Sequence, residues 1–456
     1  MSQERITSSF RDPSGYVVLE DDAIKRIIQP IYFAPYDALQ QSGFYDKLFD
    51  QHYLIRHREI SRSQTQIVLE AEKIPFVTYP YEWSFLQYKH AALLTLKIQK
   101  YCLEHGFSLK DATAFNVTFH QGKPVFIDTL SFDFYQQDQP WHAYKQFVMH
   151  FLGPLVLSKY YGHDFLKTLA HEIDGIPLKK LAQLLPWKSK LNPTLWANIH
   201  LLARYDDKFS AGSGDKGVQK LSKSAQIKLL TGLYDYIKDL DAKESTEWDH
   251  YYSQTNYNDA AYAIKKEKVK DWFEQIGRGK IIDLGGNDGT FARALGSNEL
   301  VLVADIDPNA VGQNYRQIQQ NKETNIVPLV ADALNPAGGY GFNNEERFSL
   351  IDRLEKLQLS GCLALAVIHH LTLSGNIPFE MSAQFFARLA PNLLIEFPTR
   401  DDSWVQYLLE SKREFKAHFD FYDESNFEQG FGTVFQLVKK EPIEGSARIL
   451  YHFKRR

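Results

Sequence analysis

Residues 280–295 read KIIDLGGNDGTFARAL, and this segment restricts the fold more than any other. A short run containing the β-branched pair Ile281 and Ile282 predicts a buried strand. Gly285, Gly286 and Gly289 predict a tight turn whose backbone can take left-handed angles, and the stretch after it predicts a helix. A strand that runs through a glycine turn into a helix opens a crossover to a parallel neighbour. The chain beyond repeats the alternation. Strands are predicted at Leu300–Ala304, Ile326–Val330, Cys362–Ile368 and Leu393–Phe397, with helical stretches between them. That pattern marks a parallel sheet covered on both faces. Gly432–Lys439 and Ala447–Phe453 read as two closing antiparallel strands. Upstream, Ala260–Ile276 carries Val269, Trp272, Phe273 and Ile276 at helical spacing and predicts an amphipathic helix.

In a doubly wound sheet, ligands bind at the carboxyl ends of the strands. A dinucleotide turn needs Gly-x-Gly-x-x-Gly. Counted from Gly285, the next two glycine positions hold Asn287 and Thr290; counted from Gly286, they hold Asp288 and Phe291. The Gly-Lys-Ser/Thr of a P-loop is missing as well. Charge separates the ligands further. Asp283, Asp288, Asp305, Asp307 and Asp332 all fall near predicted strand ends, and no Lys or Arg lies between Ile281 and Ala292. Such a site repels a pyrophosphate and attracts a cation.

Asp283-Leu284-Gly285-Gly286-Asn287-Asp288-Gly289 resembles motif I of class I S-adenosylmethionine-dependent methyltransferases, an acid followed by x-Gly-x-Gly-x-Gly. Asn287 stands where the family more often has its middle glycine. The resemblance implies a Rossmann-like class I methyltransferase sheet over residues 245–456, with S-adenosyl-L-methionine as cofactor: a sulfonium and an ammonium with no phosphate. Carried over residue by residue, Asp283, Gly285, Gly286, Asn287 and Gly289 form the cofactor turn. Asp305, 22 positions after Asp283, resembles the ribose-binding acid, with Ile306 beside it and Asp307 as the fallback. Asp332 resembles the acid that takes the adenine amino group, with the amide of Ala333 on the ring. His369 and His370 follow the fourth strand, where many family members place a residue near the methyl group. Methyl transfer is an in-line displacement, so a base is needed only if the acceptor must lose a proton. Trp248–Tyr257 and the helix after it look like the lead-in of methyltransferases related to nodulation proteins. There an N-terminal segment lids the cofactor pocket, so Tyr252 and Tyr257 are expected to touch cofactor or substrate, or to pack the lid. Glu396–Asp402 is a candidate substrate-facing loop. The acceptor is expected to be a small molecule or saccharide-like.

Ser108–Phe132 carries a second pattern. Asp111 and Asn116 stand five apart, and a hairpin-like pair, Val117–Phe119 and Val125–Ile127, returns Asp128 beside them. This resembles the catalytic loop and metal-binding Asp of kinase-like phosphotransferases. The departures are Leu109 in place of the usual His, Thr129-Leu130 in place of Phe-Gly, and no glycine-rich phosphate loop. The resemblance implies a degenerate kinase-like α+β lobe over 1–135, and 136–240 reads as mainly helical with a linker near 210–224. Two alternatives to methyl transfer stay open: a kinase-like phosphotransferase, or a non-catalytic binding protein with an S-adenosylmethionine-sensing domain.

At 456 residues the chain suits two or three domains. Its net charge of −4 makes no case for a nucleic-acid partner. Two cysteines, Cys102 and Cys362, are too few for a disulfide framework, and they lie at no metal-ligand spacing. The start, MSQERITSSF, has no apolar run, and no segment approaches the roughly 18–20 apolar residues that span a bilayer. A soluble, cytoplasmic protein without a membrane partner or a metal is expected. The oligomeric state is not legible.

Overall fold

The computed structural model describes residues 4–205, 220–242, 259–296 and 298–456. Tyr252 and Tyr257 lie outside the described residues, as does most of 210–224. The chain gathers into two compact units. The first comprises Met1–Glu244 with Gly339–Arg347, the second Ser245–Gly338 with Phe348–Arg456.

The first unit opens with five antiparallel strands in the order β1-β2-β3-β5-β4: β1 Glu4–Arg5, β2 Gly15–Glu20, β3 Ala23–Ile28, β4 His57–Arg62 and β5 Ile67–Ala71. The β2–β3 hairpin turns on Asp21 and Asp22, both at positive φ (48° and 68°), which aspartate tolerates better than most residues. Val18, Ile27 and Val68 pack together in the sheet core. Two helices, α1 Phe33–Gln41 and α2 Phe44–Asp50, lie between β3 and β4. Helix α3, Phe85–Glu104, starts where the Ser84 side chain accepts from the Gln87 amide and Gln87 answers in return. It stops before Gly106, at φ 85°. Strands β6 Phe107–Leu109 and β9 Phe132–Phe134 pair with each other, as do β7 Val117–His120 and β8 Lys123–Phe126. The hairpin read at Val117–Ile127 is therefore present. Short helices follow, among them α4 Gly153–Tyr161 and α5 Leu178–Leu184, and later α6 Lys223–Lys238.

Among the described residues, the second unit opens with α7, Asp259–Ile276. Its sheet holds β10 Lys280–Leu284, β11 Leu300–Asp305, β12 Ile326–Val330, β13 Gly361–Ala364, β14 Asn392–Pro398, β15 Phe435–Pro442 and β16 Arg448–Arg455. The order is β12-β11-β10-β13-β14-β16-β15. The first five strands are parallel; β16 runs antiparallel to both β14 and β15. Chain order reverses between β10 and β13, so the switch point, where such sheets bind ligands, falls at the end of β10. Val269, Trp272 and Phe273 of α7 pack with Ile281, Leu363 and Leu394 in one cluster. Val301, Val303, Ile318 and Ile326 form another. Among the described residues its helices include α8 Thr290–Ala294, α9 Pro308–Asn321, α10 Leu350–Leu357, α11 Phe379–Leu389, α12 Ser403–Ser411 and α13 Glu424–Gly432. No described helix is long and apolar enough to cross a membrane.

Three expected boundaries move. The fourth strand ends at Ala364, not Ile368. Ala366 takes a left-handed φ of 56° and the chain turns into helix. A short apolar run does not distinguish a buried strand from buried helix. The sixth strand starts at Phe435, because Glu424–Gly432 is helical. Residues 339–347, read as part of the C-terminal domain, belong to the first unit. There the buried Glu346 pairs with Arg11 at 2.6 Å, and the Arg347 guanidinium lies 4.3 Å over the Phe115 ring.

Candidate active site

The turn after β10 is shaped by close approach. The amides of Gly285 and Gly286 donate to the Ala304 carbonyl at 2.8 and 3.2 Å, tying the turn to the neighbouring strand. Gly285 sits at φ 69°, and a Cβ on Gly286 would stand 2.8 Å from the Asp283 carboxylate and from Val303. A side chain at Gly286 would thus drive the turn off the strand end. Asn287 takes φ 47°, a left-handed angle that asparagine accepts. Its amide donates to Asp305 Oδ2 at 2.8 Å. The residue that departs from the glycine pattern is therefore held by the acid of the next strand.

Asp305 also accepts from the Asp307 amide through Oδ1 at 2.9 Å. Burial pushes its carboxyl up to about 6, against those backbone donors. Ile306 is exposed. Asp307 is buried and caps α9 by accepting from the Asn309 amide at 2.9 Å. Asp332 lies two residues beyond β12, half-buried, and accepts from the Leu334 amide at 2.8 Å; Ala333 beside it is also half-buried. Register pairs Asp283 with Val303 and Asp305 with Val330. Parallel pairing therefore brings Asp283, Asp305 and Asp332 to one edge of the sheet.

Asp283 is the outlier among them. It is buried, and its Oδ2 has no hydrogen-bond partner among the described residues. Burial lifts its carboxyl to about 7, with the Asp305 charge adding and Lys265 opposing. A buried carboxylate oxygen without a donor costs free energy unless a ligand supplies one. On the turn side, Arg293 is already engaged. It donates to the Asp288 carbonyl at 2.6 Å and pairs with Glu323 at 2.8 Å.

His369 is fully buried, and neither ring nitrogen has a partner among the described residues. Burial, followed by the charges of His370, Arg448 and Lys265, holds it well below the usual histidine range. His370 is half-buried, with its ring 4.1 Å from that of His369. Burial and Arg448 push it down to about 4. Both imidazoles are neutral at pH 7, and His370 is the more accessible.

Beside them runs an ion network that the sequence reading missed. Lys265 of α7 pairs with Glu396 of β14 at 2.7 Å, both buried. Arg448 of β16 reaches Glu396 at 3.5 Å and Asp402 at 2.7 Å. Asp402 also caps α12 through the Trp404 amide at 3.0 Å. Burial lifts the Glu396 carboxyl to about 7, with the Arg448 charge opposing. A signal was present: Lys265 lies four before Val269 on the apolar stripe of its helix, where a lysine must find a buried partner. In the candidate loop Glu396–Asp402, Glu396 and Asp402 belong to this network, while Asp401 is exposed.

In the first unit Asp111, Asn116 and Asp128 do come together. The Asp111 carboxyl is raised by burial and by the Asp128 charge, and lowered in part by Asn116. But Asp128 is already satisfied: Arg26 of β3 pairs with it at 2.5 Å, and the Ser131 hydroxyl donates to it. Ser131 in turn accepts from Asn116 at 3.2 Å. A metal at Asp128 would have to displace the guanidinium. Among the described residues no group of three His, Cys, Asp or Glu could hold a metal ion.

No protein-family model matches the chain. Nodulation protein NoeA of Rhizobium meliloti strain 1021 is 32% identical over 470 residues, covering 99% of this chain and 96% of that one. Among solved structures, the N-methyltransferase NodS from Bradyrhizobium japonicum WM9 is 10% identical, covering 43% of this chain and 98% of its own, with a TM-score of 0.31. Magnesium protoporphyrin IX methyltransferase ChlM from Synechocystis PCC 6803, with bound SAH, is 13% identical over 50% of this chain and 95% of its own, with a TM-score of 0.30. Those two structural likenesses are too slight to transfer any chemistry.

Proposed function

The chain belongs to the family of nodulation protein NoeA, and we propose that it works as an S-adenosylmethionine-dependent methyltransferase on a small-molecule or saccharide-like acceptor. The observation that carries this reading is the unpartnered, buried oxygen of Asp283 at an acid-lined strand edge. A cationic, phosphate-free nucleoside suits that edge, whereas the phosphates of a nucleoside diphosphate would face its carboxylates.

In this reading Asp283 takes the ammonium, whose N–H donors satisfy Oδ2. Gly285 and Gly286 let the turn backbone approach, and Asn287 holds the turn open from its bond to Asp305. Asp305 accepts from the ribose hydroxyls, with Ile306 over it; Asp307 supports the same corner from its cap on α9. Asp332 takes the adenine amino group, and the Ala333 amide faces the ring. Gly289 starts the helix that backs the turn. Bound there, the donor supplies an activated methyl on its sulfonium, and the protein's main task is alignment. If the acceptor must lose a proton, His370 takes it, being neutral and the less buried of the pair; His369 packs behind it. Tyr257, outside the described residues, is assigned to the lid.

Titration calorimetry with S-adenosylmethionine and S-adenosylhomocysteine tests the cofactor assignment on the intact chain. Binding of both is expected, and silence from both at millimolar levels removes the reading. Acceptors are then found by following labelled methyl into cell-extract metabolites.

A further inference from the structure

Residues 175–205 of the first unit contain no aspartate or glutamate, yet carry Lys179, Lys180, Lys188, Lys190 and Arg204, of which Lys180 pairs with Glu172 just upstream. The same stretch leaves large apolar side chains in water. Trp187 is 66% exposed, Leu191 71%, Trp196 41% and Leu184 39%. Trp187 and Leu191 begin and end one 3-10 helix, entered through Pro186, with Lys188 and Lys190 exposed between them. Ser189 in the same turn is buried and hydrogen-bonds His200 at 2.7 Å, which fixes the turn on the unit. Lys190 and Arg204 both push the His200 imidazole down, after burial, so the cations share one neighbourhood. Tyr161, itself exposed, donates to the Leu184 carbonyl at 2.6 Å and extends the surface.

Single exposed apolar residues need no explanation, but a group of them set among cations does. Protein interfaces deplete lysine from their centre. A nucleic-acid surface gains nothing from exposed leucines. The interface of an anionic bilayer uses both kinds of residue at once: Trp and Leu enter the acyl boundary while lysines meet the headgroups. We propose that this face docks the protein peripherally on an anionic phospholipid surface. The contact lies on the membrane and needs no spanning helix.

The test uses the full chain and sedimentation with vesicles of equal parts phosphatidylglycerol and phosphatidylcholine, against phosphatidylcholine alone. Partitioning onto the anionic vesicles is expected, weakening as salt rises. Reversing the two lysines (Lys188→Glu with Lys190→Glu) should lower the partition coefficient by roughly tenfold or more. Trp187→Ser with Leu191→Ser should do the same. Tyr407→Ser, at an exposed aromatic in the second unit, should leave binding unchanged. Circular dichroism and cofactor titration check that each variant is folded. Absence of anionic-vesicle binding at low salt overturns the proposal, as does equal binding by the Trp187/Leu191 variant. A dimer that this variant dissolves, with no vesicle binding by the parent chain, would instead give the face to a second copy.

Discussion

Asp283 is buried with one oxygen lacking a partner among the described residues, and burial lifts its carboxyl from 3.8 to about 7. The sign of the consequence follows from linkage. Below the ordinary value the group is protonated in both the folded and unfolded chain and costs nothing. Between there and about 7 the folded chain binds the extra proton, so its stability falls as pH rises. A bound cation reverses that preference by favouring the ionised form. Affinity for S-adenosylmethionine is therefore expected to climb as pH rises through about 7, approaching tenfold per unit on the acid side. Asp283→Asn should bind weakly with a flat profile, and a wild-type profile that is flat between neutral and mildly acid pH would refute the ammonium role. Asp305 is different, because both its oxygens already serve the backbone of the turn. Asp305→Ala strands two amides as well as removing the ribose acceptor, and should weaken donor binding by roughly 10–100-fold. Calorimetry showing unchanged affinity would end the assignment. That these acids fall at successive strand ends was legible from sequence, because strand and crossover lengths set their spacing. Their support was not: Asn314 and Arg293, which crowd Gly289, are joined to it only by folding.

At the scale of elements, the ion network joins α7, β14, β16 and the cap of α12 around Glu396. Removing one partner of a buried pair leaves the other charged and unsolvated, typically costing about 3–5 kcal/mol. Glu396→Ala leaves two buried cations, Lys265 and Arg448, without this carboxylate, whereas Lys265→Met leaves Glu396 still facing Arg448. Urea unfolding should therefore rank Glu396→Ala well below Lys265→Met in stability, and equal losses would show that the network is not centred on Glu396. The sheet was legible from alternation of strands and helices, and the amphipathic helix from its stripe. The end of β13 was not, because Val367-Ile368 is as apolar as a strand and only the left-handed Ala366 reveals the turn. The positions of the two histidines could be read from the chain. Their burial could not, nor could the charge that Arg448 of β16 brings to them from the far end of the sequence.

The whole molecule is built from two units that share chain, since 339–347 leaves the second unit's sequence to complete the first. Nothing in that stretch, GYGFNNEER, announces it, because loop composition carries no address. Its anchor is Glu346, a buried carboxylate paired with Arg11 and accepting from the Phe342 amide at 3.2 Å. Burial pushes the group up, but the Arg11 bond, the Phe342 amide and the Arg347 charge together hold it below the usual carboxylate range. Its contribution is present above the ordinary glutamate value and lost as pH falls through the lower folded one. Arg11 is half-exposed, so solvent screens the pair and recovers the guanidinium if the acid is removed. The cost of Glu346→Ala then comes mainly from the stranded Phe342 amide and the lost charge-assisted bonds, about 1–3 kcal/mol. Thermal unfolding of the first unit should drop by a few degrees, and the loss should shrink in acid as the parent chain protonates. Donor affinity should stay at the parent value, because the residue belongs to the other unit. If Glu346→Ala instead weakens donor binding as much as Asp305→Ala does, this segment is part of the cofactor site and the division of the chain must be redrawn.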